Sequence, residues 1–271
     1  MLEKIKQYFF GPDLYEPEGW FSWQHIVFVT ICIALTVLIA VLCAKKVKGQ
    51  PRKKQIKVLR VASIIMVTAE LIKIILHMIE REDFWSFRGV LPLFLCSILL
   101  ISLPVAAFAK GRVQEAALDF TMIFGYIACI AGTYLAANIF SSPILSFHVN
   151  CSVFTHCISG FAAVYVTLTK LAKMELKNLW IVALILLVFE LLALTVDLIQ
   201  ETSPYESNYM FLLSDSGTPF TIVTTIVGGI RPLYTAFVMF IYFAYMGIFV
   251  GGYHLVLKIV HRNKTKEAKQ D

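Results

Sequence analysis

The sequence predicts an all-α fold, a membrane-embedded bundle of about seven transmembrane helices that forms a single integral membrane domain over residues 1–271. Of the 271 residues, 58% are apolar and only 15% are charged, whereas soluble domains are roughly half apolar and about a quarter charged. The mean hydropathy is +0.75. Long apolar segments recur along the chain, and they must be helical because lipid cannot satisfy an open backbone.

Seven segments are long enough to span a bilayer core of about 30 Å, which needs about 20 apolar residues in a helix. They lie at residues 25–44, 58–79, 90–109, 116–137, 151–171, 179–199 and 231–258. Pro92 and Pro104 bracket the third segment and predict a kink there. Residues 220–230 are either a re-entrant piece or the start of the seventh helix. The chain opens without a signal-peptide pattern, and residues 1–11 are amphipathic but too short to span.

The distribution of basic residues predicts the orientation. Of the 24 lysine and arginine residues, 18 fall on one side of the predicted bundle, and that side is cytoplasmic by the positive-inside rule. An odd number of spans then places the N-terminus outside and the basic tail at 259–271 in the cytoplasm, in a multi-pass protein of the cell (plasma) membrane. The net charge of +6 reflects this topology, so membrane lipids are the predicted partners and nucleic acid is not.

Ionisable residues within the spans are costly and usually functional. In the second span Glu70, Lys73 and His77 share one stripe, and the first two are close enough to pair. Glu190 and Asp197 lie seven residues apart in the sixth span. A pair of this kind is also compatible with a purely structural role between helices.

Depths follow from the 1.5 Å rise per residue of a helix. Cys96 and His156 both lie about 8–9 Å below the outer surface on this count, while Glu70 and Glu190 lie nearer the midplane. Arg231 opens the seventh span at the outer face. The polar residues therefore predict a pocket that opens outward and narrows towards the centre.

The six cysteines contain no C-x-x-C pair, and five of them lie inside apolar runs. They indicate neither a disulfide framework nor a zinc site. A membrane cysteine often serves only as a small apolar filler. We predict no metal site and no cofactor.

Short motifs recur in a distinctive order. The third span contains Leu91-Pro92-Leu93-Phe94-Leu95-Cys96-Ser97, the fourth opens with Leu118-Asp119-Phe120, and the fifth contains Phe154-Thr155-His156. The long outer loop contains Asn208-Tyr209-Met210-Phe211-Leu212. Together with Glu70 and the Pro232–Tyr234 segment, this order resembles the YwaF-like family of bacterial integral membrane proteins, which is itself distantly similar to eukaryotic transmembrane protein 164.

The resemblance implies a possible chemistry. The eukaryotic branch is regarded as a lipid acyltransferase that uses a cysteine and a histidine to move a fatty acyl chain into ether phospholipids. His156 matches the family histidine of the fifth span. The eukaryotic cysteine and its following histidine correspond to Leu93 and Phe94, and bacterial relatives also have histidine at the latter position. Cys96 lies three residues after Leu93, about one helical turn, and is the candidate nucleophile.

Two classes of function follow from these residues. In the first, an acyltransferase uses Cys96 as nucleophile and His156 as base, and a phospholipid or fatty-acyl substrate is bound by some of the remaining polar residues. These substrate-binding candidates are Glu70, Lys73, His77, Glu190, Asp197, Asn208, Tyr209 and Arg231. In the second, a small-molecule or proton-coupled carrier or receptor uses the buried carboxylates. A light-driven rhodopsin is excluded, because the last span has a lysine only at its cytoplasmic edge, Lys258.

Overall fold

The computed structural model describes residues 16–137, 139–216 and 218–267, and these ranges are helical without any strand. The predicted amphipathic stretch at 1–11 and the start of the chain lie outside the described residues. The α-helices are α1 (Trp23–Lys46), α2 (Arg52–Glu80), α3 (Leu99–Phe108), α4 (Gly111–Tyr134), α5 (Phe147–Leu168), α6 (Leu176–Gln200), α7 (Thr221–Val227) and α8 (Arg231–Glu267). Short 3₁₀ turns occur at Phe84–Val90, Ile139–Ser141 and Tyr209–Phe211.

Five helices in the described part of the chain are long and apolar enough to cross a membrane, namely α1, α4, α5, α6 and α8. The chain is therefore an all-helical integral membrane protein, and a count of seven spans is not confirmed. Helix α2 is not one of these five, although its 29 residues give it a length of about 43 Å. Its interior contains the ionisable residues Glu70, Lys73 and His77.

The predicted third span at 90–109 is corrected. Only Leu99–Phe108 is α-helical, and ten residues rise only about 15 Å, half the thickness of a bilayer core. Pro92 lacks the N–H that an uninterrupted helix needs at its position. Residues 91–98 instead form successive tight turns, with Leu93 N–H bonded to the Leu91 carbonyl at 2.8 Å and Ser97 N–H bonded to the Phe94 carbonyl at 2.8 Å. Pro92 therefore lies in an interruption of this segment, whereas Pro104 lies inside the α3 helix.

The chain divides into two compact units, Met1–Met210 and Phe211–Asp271. In the first unit α5 packs against α4, α1 and α2, and α4 also packs against α3 and α6. Asp119 of α4 supports the connection between α5 and α6, because its carboxylate accepts the N–H groups of Lys173 and Met174, each at 3.0 Å. Its role is therefore that of a cap on this loop.

The α4–α5 interface depends on glycine. A Cβ on Gly125 would lie 2.7 Å from the Ser159 carbonyl oxygen, and one on Gly160 would lie 2.6 Å from the Cys129 sulfur. Small residues allow membrane helices to approach closely, where packing replaces the hydrophobic driving force. This close approach determines where the side chains of α5 can lie.

The second unit contains α7 and α8. Helix α7 ends at Gly228, whose φ of +64° is the left-handed conformation that favours glycine, so residues 220–230 form a separate short helix rather than the start of α8. The loop before α7 is tied to α8, because Tyr234 donates to the Phe211 carbonyl and Thr235 to the Leu212 carbonyl. Helix α8 covers much of the predicted basic tail, and residues 268–271 lie outside the described ranges.

Candidate functional site

An ion pair lies inside α2. The Lys73 Nζ atom is 2.7 Å from Glu70 Oε1, and the side chains are 20% and 8% exposed. Removing two charges from water costs several kcal/mol per ion unless they are paired and well placed. The pairing predicted from the three-residue spacing is therefore present, and it keeps both charges in a largely buried position.

Lys73 interacts electrostatically with groups from two other elements. These groups are the thiols of Cys96 and Cys151 and the imidazoles of His148 and His156. Cys96 belongs to the turn segment before α3, whereas the other three lie on α5. Glu70 also interacts with both thiols. The ion pair is thus within electrostatic range of two cysteines and two histidines, and we call this group the Lys73 cluster.

His156 is held in place by the α4–α5 interface. The residue is 8% exposed, and its ring lies directly over Gly132 of α4. A Cβ at position 132 would come within 2.3 Å of the ring atoms Nδ1 and Cε1. Only glycine therefore leaves room for the imidazole in this position.

Cys96 lies in the tight turns that replace the predicted third span. Its carbonyl accepts the N–H of Leu99 at 3.3 Å. The residue is partly exposed, and its thiol lies 3.9 Å from the Ser97 hydroxyl. Because this segment is not a regular helix, its position depends on contacts from outside the segment.

Tyr209 supplies those contacts. Its hydroxyl accepts the N–H of Leu91 and donates to the carbonyl of Arg88, both at 2.8 Å. Its ring packs edge-on against Phe94 at a centroid distance of 5.1 Å. The side chain is fully buried, so Tyr209 fixes the segment that carries Cys96 from both sides of Pro92.

Asp197 in turn orients Tyr209. Its Oδ1 atom accepts the backbone N–H of Tyr209 at 2.9 Å and the hydroxyl of Ser207 at 2.7 Å. Asn208 lies between these two residues in the same loop and is partly exposed. Asp197, Tyr209 and the Cys96 segment therefore form a continuous chain of contacts, in which Asp197 acts through the loop rather than at the Lys73 cluster.

A second contact joins the same two regions. The Tyr205 hydroxyl donates to Asp83 Oδ2 at 2.5 Å, and the Trp85 N–H donates to Asp83 Oδ1 at 2.9 Å. The bond from Tyr205, followed by that from Trp85, lowers the pKa of the Asp83 carboxyl, and the carboxylate raises the pKa of Tyr205. The loop after α6 is thus bonded to the residues after α2 at two points, through Tyr205 and through Tyr209.

Three further predicted residues belong to α2, α6 and α8. His77, one turn beyond Lys73 on α2, interacts electrostatically with Lys73 and with His148. Glu190 lies on the buried stripe of α6, and neither of its carboxylate oxygens has a hydrogen-bond partner among the described residues. Arg231 begins α8 in the second unit and is exposed.

Sequence reasoning missed Cys151 and His148. The Cys151 thiol donates to the Ala69 carbonyl of α2 at 3.5 Å, which brings it beside Glu70 and Lys73. His148, Cys151 and His156 fall within about 140° of arc on α5 at 100° per residue, so helical spacing around His156 is the signal that identifies them.

The chemistry available to the Lys73 cluster is that of thiols and imidazoles beside a cation. Within the described ranges, no group of three histidine, cysteine, aspartate or glutamate side chains is arranged to hold a metal ion. A cation stabilises a thiolate, and an imidazole can accept or return a proton. The cluster therefore contains the residue types needed for nucleophilic catalysis by cysteine.

Comparison with curated proteins and with solved structures finds no match for this chain. A family model does match, over residues 20–250, which is most of the chain. This match includes every residue of the Lys73 cluster and both tyrosines of the supporting loop. The chain belongs to the TMEM164 family.

Proposed function

We propose that the protein is a membrane lipid acyltransferase in which Cys96 is the nucleophile and His156 the general base. The observation that carries the proposal is the Lys73 cluster, where both residues interact electrostatically with the partly exposed ammonium group of Lys73 although they come from different elements. The acyltransfer chemistry attributed to the eukaryotic branch of this family is consistent with such a set. The motif order further favours the bacterial YwaF-like branch of the family.

The reaction proceeds in two steps. His156 takes the proton of the Cys96 thiol, directly or through one water, and the thiolate attacks the ester carbonyl of a donor phospholipid. A carbon–sulfur bond forms, the carbon–oxygen bond breaks, and the lysophospholipid leaves with the proton from His156. In the second step the hydroxyl of an acceptor lysophospholipid attacks the thioester while His156 takes its proton, and the Cys96 thiolate leaves and is protonated again.

The cation assists at two points. Lys73 stabilises the thiolate before attack and the negative charge that develops on the carbonyl oxygen. Glu70 holds the ammonium in place through the 2.7 Å ion pair. Tyr209 and Asp197 act as positioning residues, because a nucleophile on a turn segment needs a supporting contact to keep its geometry.

Topology and substrate complete the proposal. In this proposal the protein lies in the plasma membrane with its N-terminus outside, and lipids reach the Lys73 cluster from the outer leaflet. A membrane phospholipid is the donor and a lysophospholipid is the acceptor. Asn208 remains a candidate contact for the headgroup.

The proposal is tested by acyl transfer in proteoliposomes, with a labelled donor phospholipid and a lysophospholipid acceptor. Cys96→Ala and His156→Ala should each abolish transfer. Cys43→Ala is the matched control, since Cys43 is also partly exposed but lies at the end of α1, and it should retain activity. Full transfer by correctly folded Cys96→Ala would refute the proposed nucleophile.

A proton-coupled carrier is the second candidate. It is favoured by Glu190, a fully buried residue of α6 whose carboxylate oxygens both lack hydrogen-bond partners among the described residues. Intramembrane carboxylates of this kind commonly relay protons. Uptake that depends on a pH gradient and is lost in Glu190→Gln, but kept in the control Glu175→Gln at a partly exposed residue just before α6, would support the carrier.

A further inference from the structure

A groove of about 520 Å³ runs between α2 and α3. Ser63, Ile64, Val67 and Thr68 line it on α2, and the α3 side extends from Leu100 to Phe108. The lining is apolar apart from two hydroxyl groups. Ile64 and Phe108 are more than half exposed, so the groove is open on the side where lipid would surround the helices.

The two ends of the groove differ. Leu100 lies only four residues after Cys96, and the intervening Leu99 N–H bonds to the Cys96 carbonyl, so one end of the groove begins close to the candidate nucleophile. At the other end the Arg60 guanidinium stacks on the Phe108 ring at 5.4 Å, and Arg60 Nε donates to the Ala107 carbonyl at 3.0 Å. Phe108 and Arg60 thus form an end wall. Leu100 to Phe108 spans about 12 Å of helix.

Basic residues lie beyond the Cys96 end of the groove. Lys73, His77 and Arg81 follow one another at four-residue intervals on α2, and His77 interacts electrostatically with both of its neighbours. Arg81 is exposed. Basic side chains are the usual partners of phosphate oxygens. The charge at this end complements a phosphate, as the apolar groove complements an acyl chain.

We propose that the groove binds one acyl chain of a phospholipid, with its phosphate at Lys73, His77 and Arg81, its ester carbonyl at Cys96 and its methyl end against Phe108. This placement rests on the proposed acyl transfer for the role of Cys96, whereas lipid binding by the groove stands independently. Phe108, supported by Arg60, is the residue that sets chain length.

The groove acts through shape. An acyl chain in a bilayer is already in an apolar medium, so its burial in the groove adds little to the free energy of binding. The van der Waals fit between chain and groove therefore determines which chains bind. If an acyl chain is too long, its methyl end contacts the Phe108 ring before its ester carbonyl reaches Cys96, and it does not react. A shorter chain fits between Cys96 and Phe108. Truncating the ring therefore favours longer chains, and filling the groove favours shorter ones.

Chain-length preference is the first readout. Proteoliposomes containing the full-length protein receive an equimolar mixture of myristoyl and stearoyl donors with a lysophospholipid acceptor. Phe108→Ala should raise the ratio of stearoyl to myristoyl transfer by roughly tenfold, and Ile101→Trp should lower it. Phe240→Ala, at another exposed phenylalanine outside the groove, should leave the ratio unchanged. An unchanged ratio in both groove variants would overturn the proposal.

Photo-crosslinking separates lipid binding from catalysis. A phosphatidylcholine with a diazirine at the methyl end of its acyl chain should label peptides containing residues 60–68 and 100–108. Groove labelling without acyl transfer by the wild type would support the binding site and reject the proposed function. Transfer without groove labelling would reject the binding site and leave the function intact.

Discussion

The hydroxyl of Tyr209 accepts the backbone N–H of Leu91 at 2.8 Å. The two residues are 118 positions apart, and the bond connects the loop after α6 to the segment that carries Cys96. The same hydroxyl donates to the Arg88 carbonyl, so one phenol satisfies two backbone groups next to Pro92. The geometry around Cys96 therefore depends on a residue that never touches the Lys73 cluster.

Tyr209→Phe tests this dependence. The substitution leaves the Leu91 N–H and the Arg88 carbonyl without their partner, which should lower the free energy of unfolding by about 1–3 kcal/mol. Acyl transfer should fall further than stability alone explains, because Cys96 loses its support. Denaturant unfolding in detergent and initial transfer rates measure the two effects. Tyr205→Phe removes a bond nearer the surface and should affect stability less, and equal rate losses in both variants would contradict a specific role for Tyr209.

Gly132→Ala tests the placement of His156. The added methyl would lie 2.3 Å from the imidazole, so either the ring moves or α4 and α5 separate, at a cost of about 1–3 kcal/mol. Transfer should be largely lost. Gly247→Ala is the control, since a Cβ there meets nothing within 4 Å, and alanine should stabilise α8 by about 0.5–1 kcal/mol. Wild-type transfer by Gly132→Ala would show that His156 need not occupy this position.

The Glu70–Lys73 pair should behave as a unit. Glu70→Gln or Lys73→Met leaves one largely buried charge without its partner and should destabilise the protein by up to about 3–5 kcal/mol. The double variant removes both charges and should recover most of that loss, although not the transfer activity. Thermal unfolding of the four proteins gives the coupling. Additive losses in the double variant would indicate that the two side chains act separately.

The lowered pKa of the Asp83 carboxyl predicts that the stability of the protein depends on pH. Its carboxyl has an ordinary pKa of 3.8, which the bonds from Tyr205 and Trp85 lower in the folded protein. The folded state therefore binds the proton more weakly, so the stabilisation is fully present above the ordinary pKa and is lost as the pH falls through the folded value. The difference in unfolding temperature between wild type and Tyr205→Phe should thus be constant near pH ~6 and shrink below pH ~4. A difference that grows on acidification would contradict this assignment.

Hydropathy was sufficient to locate the long helices, because a run of about 20 apolar residues is the length that a helix needs to cross a bilayer core. Each of the predicted first, second, fourth, fifth, sixth and seventh segments overlaps one helix. The third failed because hydropathy is insensitive to backbone geometry. Residues 91–98 are as apolar as a span, but Pro92 and the bonds to Tyr209 hold them in turns.

The candidate site was only partly predictable. Spacing identified the Glu70–Lys73 pair, since three residues bring side chains together on a helix. It did not identify the partners of Asp197, because the Ser207 and Tyr209 groups that it accepts lie in an irregular loop. Cys151 was not predicted as a site residue. Its electrostatic interaction with Lys73 arises because α2 packs against α5, and this packing cannot be predicted from a local sequence pattern.

If Cys96 is the nucleophile, it carries an acyl thioester during the reaction. Trapping this thioester is the most direct test of its role. The protein is incubated with a donor phospholipid in the absence of an acceptor, digested and analysed by mass spectrometry. We expect a hydroxylamine-sensitive acyl group on the peptide that contains Cys96. The amount of this acylated peptide should be greatly reduced in His156→Ala. An acyl group on the Cys151 peptide instead, or none in a preparation that transfers acyl chains, would contradict this role of Cys96.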